Sequence, residues 1–500
     1  MYQDRDFDFA QKAPWNGAEL TQDLQLETVC KAMAAGNELF HDVARTALLA
    51  GLDNGPDIML YRQTVLRDCL QNPAVVRSLY ALAVDAVDAG SRRSWGPSVA
   101  YPPSILSGAV ETLQMLLGTL GKLRAIADED AGKFASPGFQ QLFARVKGEI
   151  SNEYLAEIEE TLRELRFRGG VLIGAKLGRG NKGTGYLLRK PNKKRSWIKR
   201  AFGSLPGSYT FRVGDRDESG RRALGELNSR GVNLVANAAA QSAEHILSFF
   251  VMLQAELAFY LGCVNLRDRL AEIGEPVCFP VPAPAGERRL TCEGLYDMSL
   301  ALAMGQPVVA NDLKADGRNL IVVTGANKGG KTTFLRSVGI SQVMMHCGMF
   351  VPAHSFCASL CAGLFTHFKR KEDVTMESGK LDEELSRMSQ IADHLTANSM
   401  VLFNEAFAAT NEREGSEIAR HIVTALVEKQ VKVFYVSHLY QFAHTLYECR
   451  NEQTLFLRAG READGTRTFK LIEGEPLETS YGEDLYDRIF ATDPANRPPA

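Results

Sequence analysis

Apolar residues recur at helical spacing through the first third of the chain. Leu20, Leu24, Leu26, Val29 and Met33 make one stripe, Tyr61, Val65, Leu66, Cys69 and Leu70 a second, and Leu113, Leu116, Leu117 and Leu120 a third. Turn-forming clusters at Asn54-Gly55-Pro56, Tyr101-Pro102-Pro103 and Ser136-Pro137-Gly138 separate them. The pattern therefore predicts helices from about residue 18 to residue 165. Between 166 and 214 it changes to short β-prone pieces, at 170–173, 185–188 and 208–213, set among lysines and arginines. Helical spacing returns from about 218 to 273, and a proline-rich connector follows at 276–284. Beyond it, short β-branched runs alternate with helical stretches, the pattern of an α/β nucleotide-binding domain. Residues 494–500 predict a frayed tail.

The most apolar stretch, 245–266, is interrupted by Gln254 and Glu256 and ends at Asn265. A spanning helix wants about twenty nearly uninterrupted apolar residues, so this stretch predicts a buried or amphipathic helix and no membrane partner. The polar start, Met-Tyr-Gln-Asp-Arg-Asp, predicts no secretory leader. The nine cysteines are odd in number and scattered, which suits a reducing compartment. A soluble, cytoplasmic protein is expected.

At 500 residues, 45% hydrophobic and 23% charged, the chain has room for two or three globular domains. A net charge of −3 excludes a polycation, so any nucleic-acid surface has to come from local clustering. Such a cluster exists. Residues 166–200 hold twelve basic side chains (Arg166, Arg168, Lys176, Arg179, Lys182, Arg189, Lys190, Lys193, Lys194, Arg195, Lys199, Arg200) and no acidic one, with Tyr186 and Trp197 interleaved. Basic groups neutralise phosphates and aromatic faces stack on bases, so the segment points to a polyanion. A solvated loop has the same composition.

The chemistry is concentrated later. Gly325-Ala326-Asn327-Lys328-Gly329-Gly330-Lys331-Thr332 fits the phosphate-binding loop G-x-x-x-x-G-K-[ST], with the apolar run 320–324 before it and a helical pattern from Thr333 after it. Glycines let backbone N–H groups wrap phosphates at the positive end of the following helix. Lys331 is expected at the β- and γ-phosphates and the Thr332 hydroxyl on Mg²⁺. A second apolar run, 400–403, ends at Asn404-Glu405. Glu405 is placed to orient the attacking water. Position 404, where an Asp is usual, is here an amide that reaches Mg²⁺ through a bound water and brings no charge. A third run, 431–436, ends at Ser437-His438, and His438 is expected to sense the γ-phosphate. ATP and Mg²⁺ are the expected ligands.

These motifs together, with 348–353 (Gly-Met-Phe-Val-Pro-Ala), Thr410, Val436-Ser-His-Leu and Ser480-Tyr-Gly, resemble the ATPase of the MutS family of DNA mismatch-repair proteins across roughly 290–485. A weaker resemblance, at 23–29 and 57–68, is to the entry of that family's helical core and lever. It implies an ABC-type ATPase and a homodimer whose nucleotide sites are completed across the interface. Ser378-Gly379 stands where the family places the loop reaching the partner's γ-phosphate, and the basic segment where the family carries its DNA-gripping clamp. The chain opens on the helical core, so the resemblance implies no mismatch-reading or connector domain. Val308 stands where an aromatic often stacks on adenine, and Lys328 replaces an apolar loop residue.

Cys347, His354, Cys357, Cys361 and His367 fall in one segment, but a lone C-x₃-C spacing does not predict zinc. Asp382, Glu383 and Glu384 predict an exposed helix start. The expected architecture is an α/β ABC-type P-loop ATPase domain preceded by a mostly helical core/lever domain with a basic β-prone insert. Its parts are helical core/lever 1–165, basic clamp-like insert 166–214, helical return 215–275, linker 276–290, ATPase 291–490 and tail 491–500. The expected function is ATP-driven control of a dimeric DNA clamp in repair or recombination, with DNA ahead of RNA as the partner. The alternative is an ATP-binding switch with little turnover, acting on a ribonucleoprotein or protein partner.

Overall fold

The computed structural model describes residues 1–91, 101–190, 211–370, 379–462 and 466–478. The helices before the first strand are α1 (Gly17–Asp23), α2 (Leu26–Ala34), α3 (Glu38–Ala50), α4 (Pro56–Gln71), α5 (Pro73–Ser91), α6 (Pro102–Asp130), α7 (Pro137–Glu149) and α8 (Asn152–Glu164). An antiparallel pair, β1 (Ile173–Leu177) and β2 (Gly183–Leu188), leads to the 56-residue α9 (Glu218–Ile273). Then come β3 (Val281–Ala283), β4 (Leu290–Leu295), α10 (Met298–Met304), β5 (Asn311–Lys314) and β6 (Leu320–Thr324). They are followed by α11 (Lys331–His346), β7 (Ser355–Ser359), β8 (Leu364–Phe368), α12 (Lys380–His394) and β9 (Met400–Asn404). The last described elements are α13 (Glu412–Glu428), β10 (Lys432–Val436), α14 (Tyr440–Glu448), β11 (Thr454–Arg461) and β12 (Arg467–Glu473).

The chain divides into two compact units. One holds Met1–Pro73, Ser136–Gly138 and Ala258–Ala500; the other holds Ala74–Ala135 and Phe139–Leu257. This differs from the sequence reading, which kept 1–165 as one helical part. The reason is where α1 to α4 bury their polar and apolar contacts. The Asn16 amide donates to the Leu364 carbonyl at 2.8 Å, and the Asn54 amide donates to the His346 carbonyl at 3.1 Å. Leu24 packs so closely on α11 that a Cβ at Gly339 would lie 2.5 Å from its Cδ2. These helices cover the α/β sheet and complete its core.

That sheet has six strands in the order β12-β11-β6-β10-β9-β8. β11, β6, β10, β9 and β8 run parallel, and β12 pairs antiparallel at the edge. The β6 run Leu-Ile-Val-Val-Thr is buried at every position, as a parallel strand covered on both faces requires. Side by side, β6, β10 and β9 bring residues 325–332, 437–438 and 404–405 to one edge. Ligands of open α/β sheets bind at such carboxyl ends, where the strand order reverses. A second sheet, β3-β7-β4-β5, completes this unit.

In the other unit, Leu106, Val110 and Leu113 of α6 and Leu162 of α8 pack with Val232, Ala236 and Ala243 of α9. The β1–β2 pair is seated on α9 through Ile173, since a Cβ at Gly231 would lie 2.4 Å from its Cδ1. Seven of the twelve basic residues of the insert are described, and all seven are exposed. Lys193, Lys194, Arg195, Trp197, Lys199 and Arg200 lie outside the described residues, as do Ser480-Tyr-Gly and the tail. The described part of 208–213, residues 211–213, is not in a strand. Among the described residues, α9 is long and apolar enough to cross a membrane, but Phe250, Phe259, Leu261 and Leu266 within it are buried in the fold.

Candidate active site

The loop between β6 and α11 depends on its glycines. Gly325 and Gly330 have φ of +105° and +91°, which residues with a side chain rarely adopt. A Cβ on Gly325 would come within 2.9 Å of the Ala459 nitrogen, and one on Gly329 within 2.7 Å of Ala459 Cβ. Strand β11 therefore backs the loop closely. Asn327 and Lys328 are exposed at its tip, Ala326 is buried beneath it, and Thr332 and Thr333 open α11.

Lys331 is 5% exposed, and its ammonium donates to the carbonyls of Gly325 and Ala326 at 2.8 and 2.9 Å. Burial pulls its pKa down to about 8, while the Glu405 carboxylate acts the other way. The Thr332 hydroxyl donates to Asn404 Oδ1 at 2.9 Å. Across the β9–β10 edge, His438 Nε2 meets Glu405 Oε1 at 2.8 Å. That hydrogen bond is the main reason the Glu405 carboxyl sits below its usual range, so Glu405 is held as carboxylate. Lys331, Thr332, Asn404, Glu405 and His438 thus lie at one edge of the sheet.

A pocket of about 420 Å³ opens over the loop. Asn327, Lys328, Gly329, Gly330, Lys331, Thr332, Thr333 and Glu405 line it, together with Met304, Pro307, Val308, Val309 and Phe469. Val308 does face the pocket, its N–H donating to Glu275 Oε1 at 2.7 Å. The aromatic ring in the pocket wall is Phe469, 45% exposed and held at φ +57°. Asn311 fixes it by donating to the Phe469 carbonyl at 3.3 Å and accepting from the Leu471 N–H at 2.7 Å. Sequence reasoning missed Phe469 because it lies far from the loop, in an edge strand with no motif around it.

The residues fit a nucleoside triphosphate with a hard cation. The loop supplies backbone N–H groups and a lysine, while Thr332 and Asn404 offer adjacent hydroxyl and carbonyl oxygens of the type Mg²⁺ takes. Gly379 precedes α12 and does not line the pocket, and Ser378 lies outside the described residues.

The start of α12 departs from the expectation. Glu384 is 1% exposed and accepts the Phe407 N–H at 2.7 Å, so the acidic helix start is not wholly exposed. The first turns of α12 lie against the turn after β9, and that contact covers the second glutamate. The cysteines and histidines disperse into separate contacts: Cys347 donates to the Ala47 carbonyl, and His346 accepts from the Cys361 N–H. Burial lowers the pKa of both His346 and His367 to about 4. No group of three potential metal ligands forms among the described residues.

Helices followed by an α/β sheet with this loop define a P-loop ATPase-like protein. Comparison with known proteins gives the family. Residues 54–273 match the MutS2 N-terminal domain and residues 321–491 match MutS domain V. The DNA mismatch repair protein MutS of Streptococcus thermophilus is 25% identical over 408 residues, 77% of this chain and 46% of that protein. The protein of the same name from Lactobacillus johnsonii is 22% identical over 80% of this chain and 49% of its own length. MutS protein homolog 4 of Mus musculus is 23% identical over 197 residues, 38% of this chain and 21% of that protein. The chain spans about half the length of the MutS proteins it matches, and it belongs to the MutS family.

Proposed function

We propose that this protein hydrolyses ATP and uses the cycle to control a dimeric grip on nucleic acid, DNA ahead of RNA, in repair or recombination. Members of the MutS family are ATPases that bind DNA and work as dimers. The observation that carries the reading is the Glu405–His438 pair at 2.8 Å, set at neighbouring strand ends beside the buried Lys331.

Lys331 and the N–H groups opening α11 bind the phosphates and stabilise the charge that develops on them. Thr332, and Asn404 through a water, would hold Mg²⁺, which would supply positive charge to the phosphates. Glu405 orients the attacking water in line with the γ-phosphate. His438 fixes the carboxylate and registers whether that phosphate is present. The ATPase is of the ABC type in this reading, and Ser378-Gly379 of a second copy completes each site. The exposed basic residues from Arg166 to Lys190, continued through Arg200, meet the nucleic-acid backbone. The nine free cysteines suit a cytoplasmic setting.

Asn404 favours one second reading, a switch that binds ATP, turns over little and remodels a protein or ribonucleoprotein. The amide brings no negative charge to the metal.

ATP turnover of the purified protein separates the two, measured with and without duplex, branched and single-stranded DNA and structured RNA at two salt concentrations. DNA-stimulated turnover that weakens with salt and vanishes in Lys331→Ala supports the first reading. Turnover untouched by Lys331→Ala overturns it. Tight ATP binding with negligible turnover selects the switch.

A further inference from the structure

The turn after β9 has an unusual build. Glu405 and Phe407 both have left-handed backbones, with φ of +55° and +60°, and neither is glycine. Two such residues within three positions persist only where the surroundings over-determine them. Four contacts do so here. The Glu405 N–H donates to the Val436 carbonyl at 2.9 Å, and the Tyr435 hydroxyl donates to the Ala406 carbonyl at 2.8 Å. The Phe407 N–H donates to Glu384 Oε2 at 2.7 Å. Finally, Gly415 lets α13 approach so closely that a Cβ there would lie 2.4 Å from the Phe407 carbonyl.

Three of these holds come from β10 or α13, the elements next along the chain. The fourth comes from α12, which starts after Gly379. Glu384 is 1% exposed, its other oxygen is buried without a hydrogen-bond partner among the described residues, and Phe407 is fully buried. A carboxyl group is costly to bury, and a leucine at this place on an amphipathic helix would pack without that cost. The acceptor is what the position supplies: without it, the buried Phe407 N–H has no partner among the described residues.

From this geometry we propose that Glu384 is a positioning residue for hydrolysis, clasping the turn so that α12 and the Glu405 carboxylate move as one piece. The proposal rests on the reading of Glu405 as the residue that orients water. Because α12 begins after Gly379, and that reading sends Ser378-Gly379 to a partner's nucleotide, Glu384 links the state of one site to the water geometry of the other. Tyr435 holds the same turn from β10 and acts in parallel.

The test compares Glu384→Ala, Glu384→Gln and Tyr435→Phe with the parent chain, measuring turnover, nucleotide affinity with a fluorescent ATP analogue, and thermal midpoint. Glu384→Ala is expected to lower kcat about tenfold or more, because small misplacements of a reacting group are expensive, with affinity within about threefold. Glu384→Gln keeps an acceptor for the Phe407 N–H and is expected to recover most of the lost turnover. Tyr435→Phe, which preserves packing, is expected to lower kcat several-fold at unchanged affinity. The inference is overturned if kcat is unmoved in Glu384→Ala and Tyr435→Phe, or if kcat and affinity fall together with the thermal midpoint in both glutamate variants. If Glu384→Ala does not fold, Glu384→Gln and Tyr435→Phe decide alone, and unmoved kcat in Tyr435→Phe counts against it. Failure of the underlying reading looks different: the parent chain would not hydrolyse ATP, or Glu405→Gln would hydrolyse it normally.

Discussion

Charge is handled in opposite ways at the strand ends that carry the candidate site and around β1 and β2. At the site, Lys331, Glu405 and Glu384 are enclosed and individually partnered: Lys331 on two carbonyls, Glu405 on His438, Glu384 on the Phe407 N–H. Around β1 and β2 the seven described basic residues are all exposed, and their contacts are of the surface kind, such as the 3.0 Å pair of Lys190 with Glu164. A buried group has one environment and one geometry, so its loss is felt in full. An exposed cation trades one partner for water or for a neighbouring cation, so its loss is shared. The enclosed site should break at single atoms, and the basic surface should weaken by degrees.

The sharpest break of that contrast is Glu405→Gln. Turnover is expected to fall by about two orders of magnitude or more, as for removal of a group acting on the attacking water, while ATP binding persists. A loss below tenfold in a single-turnover assay would put the enclosed site in the same class as the basic surface.

Next comes Phe469→Ala. If the ring stacks on the base, nucleotide affinity falls roughly tenfold, the scale of base–aromatic stacking. Inorganic triphosphate, which has no base, should compete equally well against both proteins. Equal losses for the nucleotide and for triphosphate would assign Phe469 to shaping the loop instead.

A smaller effect is expected from pH. The Lys331 ammonium, lowered to about 8, binds anions only while protonated. Nucleotide affinity should therefore be flat at lower pH and decline several-fold as pH rises from about 7 to 9. Titration calorimetry checks this. A level profile would mean that the phosphates keep the ammonium charged across the whole range.

The mildest effect belongs to the basic surface. Arg179→Ala is expected to weaken DNA binding about threefold and to flatten the log–log salt slope by about 0.9 if one phosphate contact is lost. Further replacements at Lys182 and Arg189 should add steadily. Abolition of binding by a single replacement would show a focused site and erase the contrast between the enclosed site and the basic surface.

The same contrast governs how much could be read without coordinates. Residues 325–332, 404–405 and 437–438 were legible because each motif is local: an apolar strand, then a turn whose glycines or polar ends the chemistry requires. Helices α1 to α9 were legible as helices, since apolar spacing of the 3.6-residue period is a local property. Their partners were not. Nothing in the stripe Leu20, Leu24, Leu26 indicates that α1 and α2 cover a sheet formed some three hundred residues later, yet Leu24 packs on Gly339. Phe469 and Glu384 escaped for the same reason, being ordinary residues of an edge strand and an acidic helix start until the fold sets one beside Gly330 and the other on the Phe407 N–H.

The sequence by itself determined the kind of chemistry, because phosphate binding needs glycines, a lysine and a hydroxyl at fixed short spacings. It also determined where positive charge is concentrated, because charge is counted residue by residue. Only the tertiary structure decided which helices belong with the six-stranded sheet, which ring faces the pocket, and which buried carboxyl holds the turn of Glu405. Those are long-range juxtapositions. They follow from burying particular faces against one another, and a face has no partner until the whole chain has folded.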